Sequence, residues 1–228
     1  MKNKSEHIFY NLSANNIDYV KARNQKIYDV LKSNINNLTK NKILDVACGR
    51  GELLKLLFNE GIECQGLDYD INCVNLTKKY TKCLKGDANT VDNFFSKEFD
   101  IVICSHFLEH TENPREMINK LSNVSKKYLL IAVPNLAQLI TLEHKKPEYV
   151  NRGHFFGWDH SHFKTFIEVQ CKHKIVAWGC DQVILPFRPI WKKIPLINWL
   201  FRRVELNILP KFLPFLSSSI IALIEINK

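Results

Sequence analysis

The sequence predicts an α/β fold in which helices cover both faces of a mostly parallel β-sheet. Two observations support this class. Short, nearly continuous apolar runs recur along the chain, and segments with helical spacing of apolar residues separate them. Strands of a parallel sheet have this composition because both of their faces are buried under helices. The five runs that predict strands are residues 42–46, 61–68, 81–87, 99–105 and 127–135.

Amphipathic helices are expected between these strands. Residues 17–38 place apolar side chains at helical spacing and predict a helix ahead of the first strand. Other helices are predicted over 51–59, 71–80 and from Pro114 to about Ser122, since proline suits a first helical turn. After Asn135 the pattern is looser, and it indicates a helix over 163–171 and strands over 174–180 and 217–226.

A segment of unusual composition, residues 184–215, precedes the last predicted strand. It contains five prolines and mixes large apolar residues with basic ones. The prolines argue against one continuous helix at a membrane interface. Basic residues with interleaved aromatics suit a membrane surface or a lipid-linked substrate, and they also suit RNA. A cap that packs on the sheet or on another subunit is the remaining interpretation. The residues that carry this composition are Arg188, Trp191, Lys192, Lys193, Trp199, Phe201, Arg202, Arg203 and Lys211.

Composition and charge limit the possible classes of protein. The chain has 228 residues, 46% of them hydrophobic, which is ordinary for a globular protein and long enough for one well-buried domain over 1–228. The net charge is +9, and the basic excess lies before residue 43 and after residue 163. This distribution fits either solubility or contact with an anionic membrane or nucleic acid.

The sequence features that bear on localisation indicate the cytoplasm. Peripheral contact with the inner face of the membrane is also considered. The seven cysteines form no C-x-x-C pair or metal-finger spacing, so buried free thiols in a reducing compartment are expected. The first residues lack the apolar core of a signal peptide. The longest uncharged apolar run, 212–224, is too short to span a bilayer.

A glycine turn follows the first predicted strand, in "ILDVACGRGELL". Gly49 and Gly51 stand between this strand and a helix, where backbone N–H groups and the positive helix end can face a ligand. Asp68 is placed at the end of the second strand and Asp87 at the end of the third. An acidic side chain in these positions can accept ribose hydroxyls or an adenine amino group. The glycine turn and these two aspartates each follow a predicted strand, and together they predict a nucleoside-type ligand at the carboxyl edge of the sheet.

The chain resembles class I S-adenosylmethionine-dependent methyltransferases over about residues 17–180. The matching pieces are "ILDVACGRGELL", "GLDYD", "KGDANTV", "FDIVICSHFLEHTENP" and "KYLLIAVPN". The resemblance implies a Rossmann-like sheet of seven strands whose last strand is antiparallel, and S-adenosyl-L-methionine as cofactor. The third glycine of the dinucleotide motif is missing, because position 54 is Leu54, and this disfavours dinucleotide-dependent oxidoreductases.

The resemblance also implies the residues that bind the cofactor. Ala47, Gly49 and Gly51 would surround the methionine moiety, although the family often has glycine where this chain has Ala47. Asp45 would be a further cofactor-binding residue. Asp68 and Tyr69 would lie at the ribose, and Asp87 and Ala88 at the adenine. Ser105 and His106 would lie beneath the cofactor at the end of the fourth strand.

Histidines supply the candidate catalytic groups. A hydroxyl acceptor benefits from a general base, for which histidine is suited near neutral pH. His154 is the first candidate because, in similar enzymes, the segment after the fifth strand covers the substrate. His106 and His110 are the others, whereas His160 and His162 are expected to pack within a lid in which Trp158 and Phe163 are core anchors.

A metal site is the alternative interpretation of the same region. Small-RNA 2′-O-methyltransferases use an E-x-x-E-H segment and a later histidine to hold magnesium, and Glu109, His110 and His154 fit part of this pattern. His106 stands where those enzymes have a glutamate, and several imidazoles suit zinc or iron better than magnesium. The primary expectation is therefore that no metal is bound.

These observations lead to one functional expectation and two alternatives. We expect a methyltransferase that O-methylates a small molecule, a sugar or a glycan- or lipid-linked intermediate. A metal-assisted RNA 2′-O-methyltransferase is the first alternative, with RNA the less favoured partner. A catalytically silent cofactor-binding module at a membrane is the second. The sequence does not indicate an oligomeric state.

Overall fold

The computed structural model describes residues 14–143, 153–186 and 193–227, without the side chains of residues 14–18 and 143. Its strands are β1 (Ile43–Val46), β2 (Cys64–Asp68), β3 (Cys83–Lys85), β4 (Phe99–Ser105), β5 (Ser125–Pro134), β6 (Lys174–Cys180) and β7 (Ser219–Glu225). They form one sheet in the order β3-β2-β1-β4-β5-β7-β6. The pairs among β1 to β5 are parallel, and β7 lies antiparallel between β5 and β6. The predicted fold class is confirmed, including the antiparallel last strand.

Helices surround this sheet. They are α1 (Ala14–Asn34), α2 (Glu52–Asn59), α3 (Ile71–Thr77), α4 (Val91–Phe94), α5 (Pro114–Val124), α6 (His160–Thr165), α7 (Pro195–Arg203) and α8 (Leu209–Phe212). A π-helical turn over Phe166–Gln170 extends α6. The predicted start of α5 is confirmed, because Pro114 lies in its first turn and the Asn113 side chain accepts a hydrogen bond from the Glu116 N–H at 3.1 Å.

Two apolar cores lie on opposite faces of the sheet. In β4, Ile101 and Ile103 pack on the side of α1 and α2, whereas Val102 and Cys104 pack on the side of α5. All four are fully buried. This alternation explains the continuous apolar run in the sequence, since successive side chains of a strand point to opposite faces and both faces are covered.

The strand order places a crevice at the carboxyl end of β1. From β1 the sheet proceeds to β2 and β3 on one side and to β4 and β5 on the other. The loops that follow β1 and β4 therefore separate, and open sheets of this type bind ligands at such a point.

The segment before β7 is helical over part of its length. A helical run extends from Pro195 to Phe212, in which a π-helical turn over Val204–Ile208 joins α7 to α8. Pro195 occupies the first turn of α7, where the N–H that proline lacks needs no helical partner, and Pro210 follows the π-helical turn that interrupts the regular α-helix. Of the residues singled out in this segment, Arg188, Trp191 and Lys192 lie outside the described residues. In the described part of the chain, no helix is long and apolar enough to cross a membrane.

Candidate functional site

A cavity of about 370 Å³ opens at the carboxyl edge of the sheet, between α1 and the turn from β1 to α2. Five of the predicted site residues line it, and they are Asp45, Ala47, Gly49, Ser105 and His106. The opposite wall is formed by α1 residues, among them Tyr19, Val20, Arg23 and Asn24. The structure thus brings the β1 turn and the end of β4 together around one space, as expected for strands next to each other at a sheet edge.

The β1–α2 turn is built on left-handed backbone at alternate positions. Ala47, Gly49 and Gly51 have φ angles of 58°, 55° and 73°. A Cβ atom on Gly51 would lie 2.4 Å from Thr77 Oγ1, so this position requires glycine for space as well as for conformation. Ala47 adopts the same left-handed conformation despite its side chain. The turn holds the start of α2 close to the cavity.

Asp68 ties the end of β2 to this turn. Its Oδ2 accepts a hydrogen bond from the Gly49 N–H at 2.7 Å, and its Oδ1 accepts one from the Asp70 N–H at 2.9 Å. Burial raises the pKa of this carboxyl, while the backbone donors oppose that effect. A carboxylate has about four acceptor positions, so two backbone bonds leave room for two hydroxyl donors. Neighbouring Tyr69 is exposed.

Asp87 does not lie at the end of a strand, as was predicted. Strand β3 ends at Lys85, before Asp87, and Asp87 caps the short turn Ala88–Thr90 by accepting a hydrogen bond from the Asn89 N–H at 2.9 Å. Asp and Asn readily form such local caps after a strand, and this competes with extending the strand. Asp68, Asp87 and Ala88 do not line the cavity.

Arg23, which was not among the predicted site residues, faces the cavity from α1. Its Nε is buried and, among the described residues, has no hydrogen-bond partner. Asp45 lies on the other side with only 3% of its surface exposed, and burial raises its pKa to about 8. Arg23 could have been inferred from its spacing, since it falls on the same helical face as Val20 and Ile27.

The end of β4 presents two more predicted residues to the cavity. His106 adopts left-handed backbone with φ 55°, which is uncommon for a non-glycine residue and typical of functional sites. Its Nε2 lies 3.0 Å from Ser219 Oγ, and burial lowers the pKa of the imidazole well below its ordinary value, which keeps it neutral. Ser105 Oγ is buried and makes no hydrogen bond to any described residue.

A buried carboxylate lies directly behind His106. Glu109 is 1% exposed, and neither of its carboxylate oxygens accepts a hydrogen bond within the described chain. Its Oε1 is 3.6 Å from His106 Nδ1 and 4.0 Å from His110 Nε2. Burial raises the pKa of Glu109 to about 7, because an ionised carboxylate without donors is poorly solvated there.

His110 and His154 complete this cluster, which we call the Glu109 cluster (Glu109, His110 and His154). One ligand atom from each of the three residues lies within 4.8 Å of the other two. His110 Nδ1 is 2.8 Å from the carbonyl oxygen of Gly153. A carbonyl only accepts, so Nδ1 carries a proton and Nε2 is the ring nitrogen that faces Glu109. Burial lowers the pKa of His154, whose ring contacts the His110 ring edge-on at a centroid distance of 4.8 Å.

The remaining two histidines of this region lie apart from the Glu109 cluster. His162 Nδ1 pairs with Asp159 Oδ2 at 2.8 Å at the start of α6. His160 packs between the rings of Trp178 and Phe215. The packing of His160 and the burial of Trp158 and Phe163 agree with the expected lid, whereas His162 is exposed.

Comparison with known proteins agrees with the fold. A family model described as "Methionine biosynthesis protein MetW" matches residues 29–142, half of the chain. A curated relative, "Ubiquinone biosynthesis O-methyltransferase" of Rickettsia bellii, is 27% identical over 144 residues, which are 58% of this chain and 56% of that protein. The chain spans about half the length of the curated relatives it matches.

Solved structures share the architecture over nearly the whole chain. The magnesium protoporphyrin IX methyltransferase of Synechocystis PCC 6803 with bound S-adenosylhomocysteine has a TM-score of 0.64 at 14% identity, and covers 95% of this chain and 89% of its own. A Haloferax volcanii putative methyltransferase in complex with the Trm112 activator has a TM-score of 0.66 at 15% identity, and covers 99% and 98%.

These matches confirm the predicted resemblance. The described elements follow the class I order, the glycine turn lies at the expected crevice, and the family model spans this turn and β1 to β5. The chain therefore belongs to the MetW family, with the class I fold of the S-adenosylmethionine-dependent methyltransferases.

Proposed function

We propose that this chain transfers the methyl group of S-adenosylmethionine to a hydroxyl oxygen of a small molecule, a sugar or a glycan- or lipid-linked intermediate. The proposal rests on one observation, which is that the cavity at the glycine turn and the Glu109 cluster adjoin each other through His106. His106 lines the cavity beside the glycine turn, and it also lies against Glu109, next to two further imidazoles. The same cavity thus combines a glycine turn of the kind that binds cofactors with groups that can accept or donate a proton.

The cavity and the ends of the neighbouring strands have groups that fit the cofactor. Arg23 offers a buried N–H without a partner among the described residues, which suits the carboxylate of the methionine moiety. Asp68 retains free acceptor positions for the ribose hydroxyls. Asp87 and Ala88 stay the proposed contacts of the adenine. When bound, the cofactor supplies a methyl group already activated by the sulfonium, so the protein mainly aligns the acceptor.

The chain's own contribution is a neutral, partly or fully buried base. Burial keeps His106 and His154 uncharged near neutral pH, so either ring can accept the hydroxyl proton as the oxygen attacks. Glu109 lies 3.6 Å from His106 Nδ1, where a carboxylate stabilises the imidazolium that results. We assign the role of base first to His154, with His106 and His110 as the other candidates.

A second candidate function is supported by the Glu109 cluster. The Glu109 carboxylate and His110 Nε2 face each other at 4.0 Å, and a metal ion or a proton between them would satisfy both. The Gly153 carbonyl orients His110 as outer-shell partners orient metal-ligating histidines. A zinc, iron or manganese ion fits this donor set and could orient the hydroxyls of an acceptor such as an RNA 3′ end. This alternative is a metal-assisted 2′-O-methyltransferase.

One experiment separates the two candidates and tests the first. Release of S-adenosylhomocysteine is measured across a panel of catechol, sugar and RNA acceptors, in chelator and then with added zinc or manganese. Methyl transfer to a hydroxyl acceptor in chelator, lost in His154→Asn and kept in His162→Asn, is the expected result. His162 is the matched control because it is exposed and pairs only locally with Asp159.

Transfer that requires metal and an RNA acceptor would favour the second candidate. Cofactor binding with no turnover on any acceptor would favour the catalytically silent module.

A further inference from the structure

The helical run Pro195–Phe212 exposes an apolar-basic face that no other described part of the chain covers. We define this face as Leu196, Trp199, Leu200, Arg203, Ile208, Lys211 and Phe212. The first four recur at spacings of three and four within α7, and the last three do so at the end of the run. Leu196 is 74% exposed and Phe212 is 76% exposed, and large exposed apolar side chains grouped in this way are typical of an interaction surface.

The charge on this face has a single sign. Glu205 is the one acidic residue in the sequence between Asp181 and Glu225, and it is fully buried. Its carboxylate pairs with Arg202 at 2.8 Å and accepts a hydrogen bond from the Leu185 N–H at 3.0 Å. The charges left exposed along the helical run, Arg203 and Lys211, are therefore positive.

Buried contacts attach this face to the rim of the candidate site. Arg202 donates a hydrogen bond to Gln182 Oε1 at 3.1 Å, and its guanidinium lies over the ring of Tyr19 at 5.4 Å. Tyr19 also lines the cavity. A surface that binds the apolar-basic face would consequently lie beside the opening of the cavity.

We propose that the apolar-basic face docks on an anionic phospholipid bilayer. Aliphatic and aromatic side chains would enter the boundary between headgroups and acyl chains, while Arg203 and Lys211 contact lipid phosphates. Arg203 lies over the Trp199 ring at 4.4 Å, which places a cation next to an aromatic residue as at membrane interfaces. Aliphatic residues make up much of the face, and this favours a bilayer over RNA, which needs stacking aromatics. This inference does not depend on methyl transfer.

The test is sedimentation of the full chain with vesicles of phosphatidylcholine alone and of phosphatidylcholine with phosphatidylglycerol. Binding is expected only to the anionic vesicles, and it should weaken as salt is raised. Each removed basic charge is expected to weaken partitioning about fivefold, so Arg203→Gln with Lys211→Gln should weaken it about 25-fold. Trp199→Ser with Phe212→Ser should weaken binding at high salt as well, because these residues act through apolar burial.

The matched control is Lys126→Gln with Lys127→Gln, which also removes two positive charges, but at the start of β5 and not on the apolar-basic face. Both lysines are exposed, so neither pair of substitutions should unfold the chain, and circular dichroism checks this. Equal loss of binding in the control and the Arg203/Lys211 variant would refute the proposed face. It would also be refuted by no vesicle binding, by tighter binding to single-stranded RNA than to anionic vesicles, or by a dimer in sedimentation velocity that the Trp199/Phe212 variant dissociates.

Discussion

Alanine at Gly51 is expected to be far more costly than alanine at Gly49, although the two glycines share one turn. Both positions have left-handed backbone, and a Cβ in that region costs about 1–2 kcal/mol. The surroundings differ. A Cβ on Gly49 would meet no atom within 4 Å, whereas one on Gly51 would lie 2.4 Å from Thr77 Oγ1 and 2.9 Å from Thr77 Cγ2.

The expected cost follows from these distances. Thr77 is fully buried on α3, so it cannot move away freely, and overpacking of this kind costs about 1–3 kcal/mol. Gly51→Ala should therefore lower the free energy of unfolding by about 2–5 kcal/mol, and Gly49→Ala by only about 1–2 kcal/mol. Moving the start of α2 should also weaken binding of S-adenosylhomocysteine.

Urea unfolding followed by circular dichroism measures both costs, and a double-mutant cycle with Thr77→Ala isolates the contact. We expect Gly51→Ala to be less costly in the Thr77→Ala background, with a coupling free energy of about 1 kcal/mol or more. Equal costs for the two glycine variants, together with a coupling free energy near zero, would refute the proposed packing of the turn against α3.

Two further predictions concern charged residues of the site. Arg23→Met should weaken S-adenosylhomocysteine binding about 10- to 100-fold in calorimetry, as expected for one charge-assisted contact, and an unchanged affinity would contradict that role. The pKa of Glu109 is raised from its ordinary 4.5 to about 7, so its ionisation opposes folding as pH rises through this range. Glu109→Gln should therefore gain stability relative to wild type between about pH 5 and pH 8, by at most about 3 kcal/mol. A difference that does not vary with pH in urea unfolding would show that the carboxylate is solvated.

Much of the fold was predictable from the sequence because local patterns and global architecture agree. The apolar run of β4 encodes burial on both faces, and Pro114 with Asn113 encodes the start of α5. The extent of the helical run before β7 was not predictable, because the cost of a proline depends on its place in a helical turn. Only the structure shows that Pro195 occupies a first turn and that Pro210 follows a π-helical turn.

The candidate site was predictable where a residue's position along a strand decides its place. Asp45, Ala47, Gly49, Ser105 and His106 line the cavity because they follow neighbouring strands. Other features depend on distant contacts that no local pattern encodes. The spacing of α1 places Arg23 on one face with Val20 and Ile27, but only the structure shows that this face meets the cavity. The proton position on His110 is set by the carbonyl of Gly153, forty-three residues away.

Binding of S-adenosylhomocysteine to the wild-type chain and to Asp68→Ala tests the central claim most directly. Asp70→Ala is the matched control, since Asp70 caps α3 by accepting a hydrogen bond from the Asn72 N–H at 2.8 Å. In isothermal calorimetry, we predict binding to wild type and Asp70→Ala, and its loss in Asp68→Ala. Failure of wild type to bind, or unchanged affinity in Asp68→Ala, would contradict the assignment of the glycine turn and Asp68 as the cofactor site.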